Sequence, residues 1–181
     1  MKKIETPIKD LYLYQPDVFG DDRGYFMESY NQKTMNDLGL DAVFVQDNES
    51  KSKKGVLRGI HFQTRNPQGK LVRCSQGTIY DVAVDLRPES ETFGQWFGVE
   101  LSSDNKTMMY IPPRFGHGFV VLSDEAVFNY KCSELYDPET DSGIMYNSEE
   151  INITWPEVDC DLIISEKDQK HQTKLADIVW E

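Results

Sequence analysis

The sequence predicts an all-β protein, a jelly-roll β-sandwich or barrel with short peripheral helices. Short stretches rich in aromatic and β-branched residues recur along most of the chain, separated by Gly, Pro and Asp turns. Helical signal is confined to one short segment and the C-terminal end. No repeat, low-complexity linker or shift in composition divides the 181 residues, so 1–181 reads as a single domain.

The elements follow in order. Residues 11–16 (LYLYQP) and 23–29 (RGYFMES) are aromatic-rich strands, and 42–48 (AVFVQDN) is a third. Residues 31–39 (NQKTMNDLG) form a short helix, with Asn31 as its cap and Gly39 as its stop. Residues 55–62 (GVLRGIHF) are a strand interrupted by glycine, which predicts a bend or bulge. Residues 70–88 are two strands joined at Ser75-Gln76-Gly77-Thr78. In the second, Ile79, Asp81, Ala83 and Asp85 face one way; Tyr80, Val82, Val84 and Leu86 face the other. Further strands are expected at 95–101, 107–111, 118–122, 125–133 and 151–154, and a turn or two of helix from 166 to 175.

Charge and cysteine content narrow the function. The chain carries 31 acidic and 19 basic residues, a net charge of −12, and no basic stripe, which argues against a nucleic-acid partner. A small anionic ligand is still compatible, because a few cations converging in a pocket suffice to hold a phosphate. Three widely spaced cysteines, Cys74, Cys132 and Cys160, make neither a disulfide framework nor a CxxC metal site. No signal peptide or membrane-spanning run is legible, so the expectation is a cytoplasmic protein with no membrane partner.

The chemistry centres on His61 in RGIHFQ, one of three histidines. A lone strand histidine is more often structural than catalytic. Here Asp81 and Asp85 stand in the most apolar strand, where an unpaired carboxylate costs several kcal/mol. Glu28, Gln46 and Asn48 also interrupt apolar strands. A cavity holding polar ligand groups accounts for all of these at once. A metal-binding barrel wants a second histidine two residues on, but that position is Gln63, and no acid follows at 64–68. No metal is therefore expected at His61. His117, in PPRFGHGF, reads equally as a turn histidine bonded to backbone or as a ligand contact at a cavity rim. Tyr130 reads as a core aromatic or as a proton donor, Lys70 as a solvated strand start or as the partner of a developing negative charge, and Asp168 alone as a surface acid.

Ordered blocks over nearly the whole length resemble the dTDP-4-dehydrorhamnose 3,5-epimerase family. They are 6–31 (TPIKDLYLYQPDVFGDDRGYFMESYN), 44–63 (FVQDNESKSKKGVLRGIHFQ), 67–90, 110–124 (YIPPRFGHGFVVLSD), 129–147 and 155–169 (WPEVDCDLIISEKDQ). The resemblance implies a cupin-type jelly roll, a homodimer, no cofactor, and a dTDP-linked 4-keto-6-deoxy sugar as substrate. It aligns His61 with the catalytic base and Asp168 with the carboxylate that completes a dyad. Tyr130 aligns with the acid, and Lys70 and Arg58 with cations near the base. Phe19, Arg23, Phe26, Glu28, Gln46, Asn48, His117 and Asp141 align with substrate contacts, Arg23 near the phosphates. The chain departs from the family in carrying Gln169-Lys170-His171-Gln172 where proline and leucine are common, Arg114 in place of a small residue, and Asp141 in place of glutamate.

The implied reaction is epimerisation at C3 and C5. The C4 ketone acidifies both positions, a base removes a proton to give an enolate, and reprotonation from the opposite face inverts the carbon. Imidazole titrates near pH 6.5 and suits the base. The alternatives are an epimerase acting at C3 only, a metal-dependent cupin enzyme, and a non-catalytic sugar-binding module.

Overall fold

A computed structural model describes residues 1–181. Two sheets face one another. The first runs in the order β1 (Lys2–Glu5), β2 (Tyr12–Gln15), β10 (Met108–Ile111), β7 (Lys70–Gln76), β12 (Glu125–Cys132), β5 (Gln46–Lys53). The second runs β13 (Asp141–Gly143), β6 (Val56–Gln63), β11 (Phe115–Val121), β8 (Thr78–Asp85), β9 (Trp96–Ser102). Strand β14 (Ile163–Ile164) pairs in parallel with the start of β6, and every other pairing is antiparallel. A separate hairpin, β3 (Val18–Asp21) and β4 (Gly24–Met27), stands exposed. The all-β jelly-roll expectation holds.

Alternation along the strands divides the apolar residues among three layers. Between the sheets lie Val72, Cys74, Ile79, Ala83, Met109, Phe119 and Phe128. The outer face of the second sheet, with Val82, Val84 and Leu86, is covered by Ile144, Ile151, Trp155 and Trp180 of the C-terminal segment. The outer face of the first, with Leu71, Met108 and Tyr110, is covered by Met35 of helix α1 (Gln32–Asp37) and by Leu40. The two-sided reading of β8 is therefore correct: both of its faces are buried.

Helix α1 starts as expected. The Asn31 side chain accepts from the Lys33 and Thr34 amides, and Gly39 follows in a left-handed conformation. Two expected strands are corrected. Residues 42–45 are not a strand, which runs instead from Gln46 to Lys53. Residues 151–154 form no strand; Ile151 and Ile153 are loop residues packed onto the outer face of the second sheet. The C-terminal turns are 3₁₀, at Asp168–Lys170 and Leu175–Asp177.

The glycine-interrupted strand β6 does bulge. His61 pairs with His117, but Arg58 pairs with Phe119, so β6 fits one extra residue into this stretch. Gly59 makes this possible. Its φ is +121°, and a Cβ there would lie 2.5 Å from the Gly118 Cα.

Candidate active site

A cavity of about 140 Å³ opens between the sheets, lined by Arg58, His61 and His117 from the second sheet and Lys70, Phe128 and Tyr130 from the first. Each side chain reaches it through strand alternation. On β12, Phe128, Tyr130 and Cys132 point inward, while Asn129 and Lys131 point out to pair with Glu49 and Asp47. On β5, Gln46, Asn48, Ser50 and Ser52 form a polar inward stripe.

His61 is bonded through Nε2 to Asp168 Oδ1 at 2.7 Å, although 107 residues separate them. Asp168 arrives on the segment that follows β14 and opens a 3₁₀ turn, and its side chain is only 4% exposed. Burial pushes this carboxyl up, but the bonds to His61, the Gly59 amide and Ser165 outweigh that and hold it below its ordinary value. With Nε2 committed to Asp168, Nδ1 is the His61 nitrogen left for a substrate. The His61 side chain is one-third exposed, so a ligand can reach it.

A second histidine–carboxylate pair lies behind the first. His117 Nε2 is 3.0 Å from both oxygens of Asp81, which is fully buried. Burial pushes the Asp81 carboxyl up and the His117 imidazole down. A neutral His117 bonds an ionised Asp81 only by donating from Nε2, an arrangement that fixes the ring's tautomer. This satisfies the buried acid that the sequence left without a named partner. The other acid of β8, Asp85, belongs to a structural cluster with Arg87, Ser90 and Thr92.

Lys70 begins β7, and burial lowers its ammonium, with Cys132, Asp141 and Asp81 opposing the shift. Arg58 is steadied by Ser52 Oγ, at 3.2 Å from Nη2. Tyr130 packs on Phe128 at a ring separation of 5.4 Å, and Phe128 stacks on His117 at 5.7 Å, so an aromatic wall joins the two sides of the cavity. Burial raises the Tyr130 phenol, with Arg58 acting in the other direction.

The remaining site candidates fall into two groups. Gln46 and Asn48 lie on the inward stripe, with Gln46 Nε2 donating to Asn48 Oδ1 and its Oε1 accepting from the Tyr136 amide. Asp141 is at the rim, bonded by Tyr136 Oη at 3.0 Å and by Lys167. Phe19, Arg23, Phe26 and Glu28 do not line the cavity. The first three stand on the exposed hairpin, with Phe19 66% and Phe26 71% exposed and Arg23 paired to Asp21. Glu28 accepts from Asn31 and Thr34 beside the helix.

A larger recess of about 340 Å³ lies on the outer face of the first sheet, among Tyr30, Arg73, Asn129 and Lys131. No histidine–carboxylate pair faces it, so the smaller cavity is the candidate for chemistry.

The family model for dTDP-4-dehydrorhamnose 3,5-epimerase matches residues 5–177. The chain belongs to the dTDP-4-dehydrorhamnose 3,5-epimerase family. It is 54% identical to the epimerase of that name from Methanothermobacter thermautotrophicus, over 92% of this chain and 90% of that one. The crystal structure of the Elizabethkingia anophelis enzyme superimposes with a TM-score of 0.92 at 49% identity, covering 98% of both chains. A Legionella pneumophila 3,5-epimerase solved with dTDP-4-keto-L-rhamnose superimposes with a TM-score of 0.94 at 43% identity, covering 99% of this chain and 98% of that one. The family's jelly roll is the fold described above, and the chain is an epimerase of that family.

His171 is the site residue that sequence reasoning missed. It follows the 3₁₀ turn three positions after Asp168, and its ring centroid is 5.6 Å from that of His61. The available signal was the spacing: residues i and i+3 eclipse in a 3₁₀ turn.

Proposed function

We propose that the chain epimerises C3 and C5 of dTDP-4-dehydro-6-deoxy-D-glucose to give dTDP-4-dehydro-L-rhamnose, with His61 as the base. The observation that carries this is the His61–Asp168 pair on one sheet's side of the cavity and Tyr130 on the other's. Inversion needs one group on each face of the sugar ring. In the working tautomer Nε2–H donates to Asp168 and the Nδ1 lone pair takes the C–H proton. The imidazolium so formed is stabilised by the buried carboxylate. Negative charge moves to the C4 oxygen, where Lys70 and Arg58 supply positive charge in a partly desolvated site. Tyr130 then donates from the opposite face, and Arg58 beside it favours the phenolate that results. His117, Gln46 and Asn48 supply further polar contacts.

Phe19, Arg23 and Phe26 belong to the same reading through a homodimer. Exposed aromatics on a projecting hairpin are suited to burial against a second copy, and Arg23 is suited to the substrate's phosphates. In such a dimer each hairpin completes the other subunit's cavity.

The test is incubation with dTDP-4-keto-6-deoxyglucose in deuterated water, with a 4-keto reductase to trap the product. Deuterium at both C3 and C5 of an L-sugar is expected. Label at C3 alone would make the chain a C3 epimerase, and no label at all would reject epimerisation.

A further inference from the structure

We infer that His61, Asp168 and His171 form an inhibitory binding site for a zinc-like divalent transition-metal ion. One ligand atom from each of His61, Asp168 and His171 lies within 4.8 Å of the other two. Individual separations are 2.7 Å from Asp168 Oδ1 to His61 and 3.7 Å to His171. Ligands bound tetrahedrally to zinc at ordinary bond lengths are about 3.4 Å apart, so small side-chain shifts close the set around one ion. Two imidazoles and one carboxylate suit zinc, nickel or copper and disfavour magnesium or calcium. Solvent fills the fourth position through the exposed side of His61.

Two independent features point to a ligand at this place. His171 Nε2 is buried without any hydrogen-bond partner, and the side chain is only 11% exposed. An unpaired buried nitrogen is costly, and a metal would satisfy it. The ring is also given room: a Cβ at Gly143 would lie 2.6 Å from His171 Nε2. Gly143 pairs directly with His61 across β13 and β6, so the glycine lets the second imidazole lie against the first.

Inhibition follows from the tautomer. Metal on Nε2 of His61 displaces the proton that this nitrogen donates to Asp168. The neutral ring then carries its proton on Nδ1, the nitrogen that has to accept one from the sugar. Proton count on the ring is unchanged, but the basic lone pair is gone. The inhibitory half of the inference rests on His61 being the base; the binding half does not.

The probe is zinc chloride, titrated against a chromogenic chelator in competition with the purified chain. One equivalent is expected to bind per chain, and His171→Ala or Gly143→Ala should weaken binding by at least about tenfold. Solvent deuterium exchange into the sugar, measured with and without zinc, should fall in the native chain and recover on adding EDTA. The zinc-to-no-zinc ratio should stay near one in His171→Ala at the same concentration, and magnesium should leave the native ratio unchanged. Absent binding, or binding indifferent to both substitutions, overturns the site. Binding without inhibition overturns the inhibitory role if His61→Asn is inactive. If His61→Asn is active, the same result overturns His61 as base and leaves the metal site standing.

Discussion

Asp168 sets how the dyad responds to acid. Its folded pKa lies below the ordinary 3.8, with burial opposing and the hydrogen bonds prevailing. Between those two values the unfolded chain binds more protons than the folded one. The stabilisation is therefore complete above the ordinary value and is lost as pH falls through the folded one. Urea midpoints measured on descending from neutral pH should fall less steeply in Asp168→Asn than in the native chain over that acid window. The kinetic roles separate by substitution. His61→Asn should slow epimerisation at least about a hundredfold, as steady-state rates would show. On the proposed mechanism Lys70→Met removes one of the two cations assigned to the enolate and should lower kcat by about 10²–10³-fold. Tyr130→Phe should spare solvent exchange more than completed inversion at C5, read by NMR in deuterated water; unchanged inversion would reject the phenol as the acid.

At the scale of elements, strand β6 controls the site. Its bulge carries Arg58 and His61 into the cavity, and Gly59 lets two backbones approach closely at that point. Gly59→Ala adds backbone strain of roughly 1–3 kcal/mol on top of a clash with Gly118. A lowered urea midpoint and a larger fall in activity than in stability are the expected readings. This bulge was legible, because glycine inside a β-branched run is its mark. So were β7 and β8, although β7 carries an extra residue at Ser75 where it pairs with β12. Strand β5 was misplaced for a physical reason. It is an edge strand whose inward face is polar, Gln46, Asn48, Ser50 and Ser52, so apolar alternation is missing where the strand lies. The apolar residues just before it, at 42–45, drew the strand toward themselves. Residues 151–154 misled in the opposite sense: Ile151 and Ile153 are buried by packing, not by pairing.

For the whole molecule, the fold was more legible than the site. Turn spacing and alternation determine a sandwich, but no local pattern joins His61 to a carboxylate 107 residues away or His117 to Asp81. The first pairing came from resemblance, and the second needed coordinates. The hairpin residues could be named from resemblance but not located. Their exposure leads to a prediction at this scale: light scattering should give twice the chain mass. Phe19→Ser with Phe26→Ser should weaken both association and dTDP binding. Binding unchanged alongside a monomer would reject the shared-site arrangement.

The late position of Asp168 also bears on synthesis. Both sheets, apart from the two-residue β14, are encoded before residue 144. His61, Lys70 and Tyr130 are thus all synthesised before the carboxylate that pairs with the imidazole. Until then the imidazole has no partner to fix its tautomer. A product terminated before Asp168 would lack the dyad's carboxylate and also Trp180, which covers the outer face of the second sheet, and should be both inactive and less stable than the full chain.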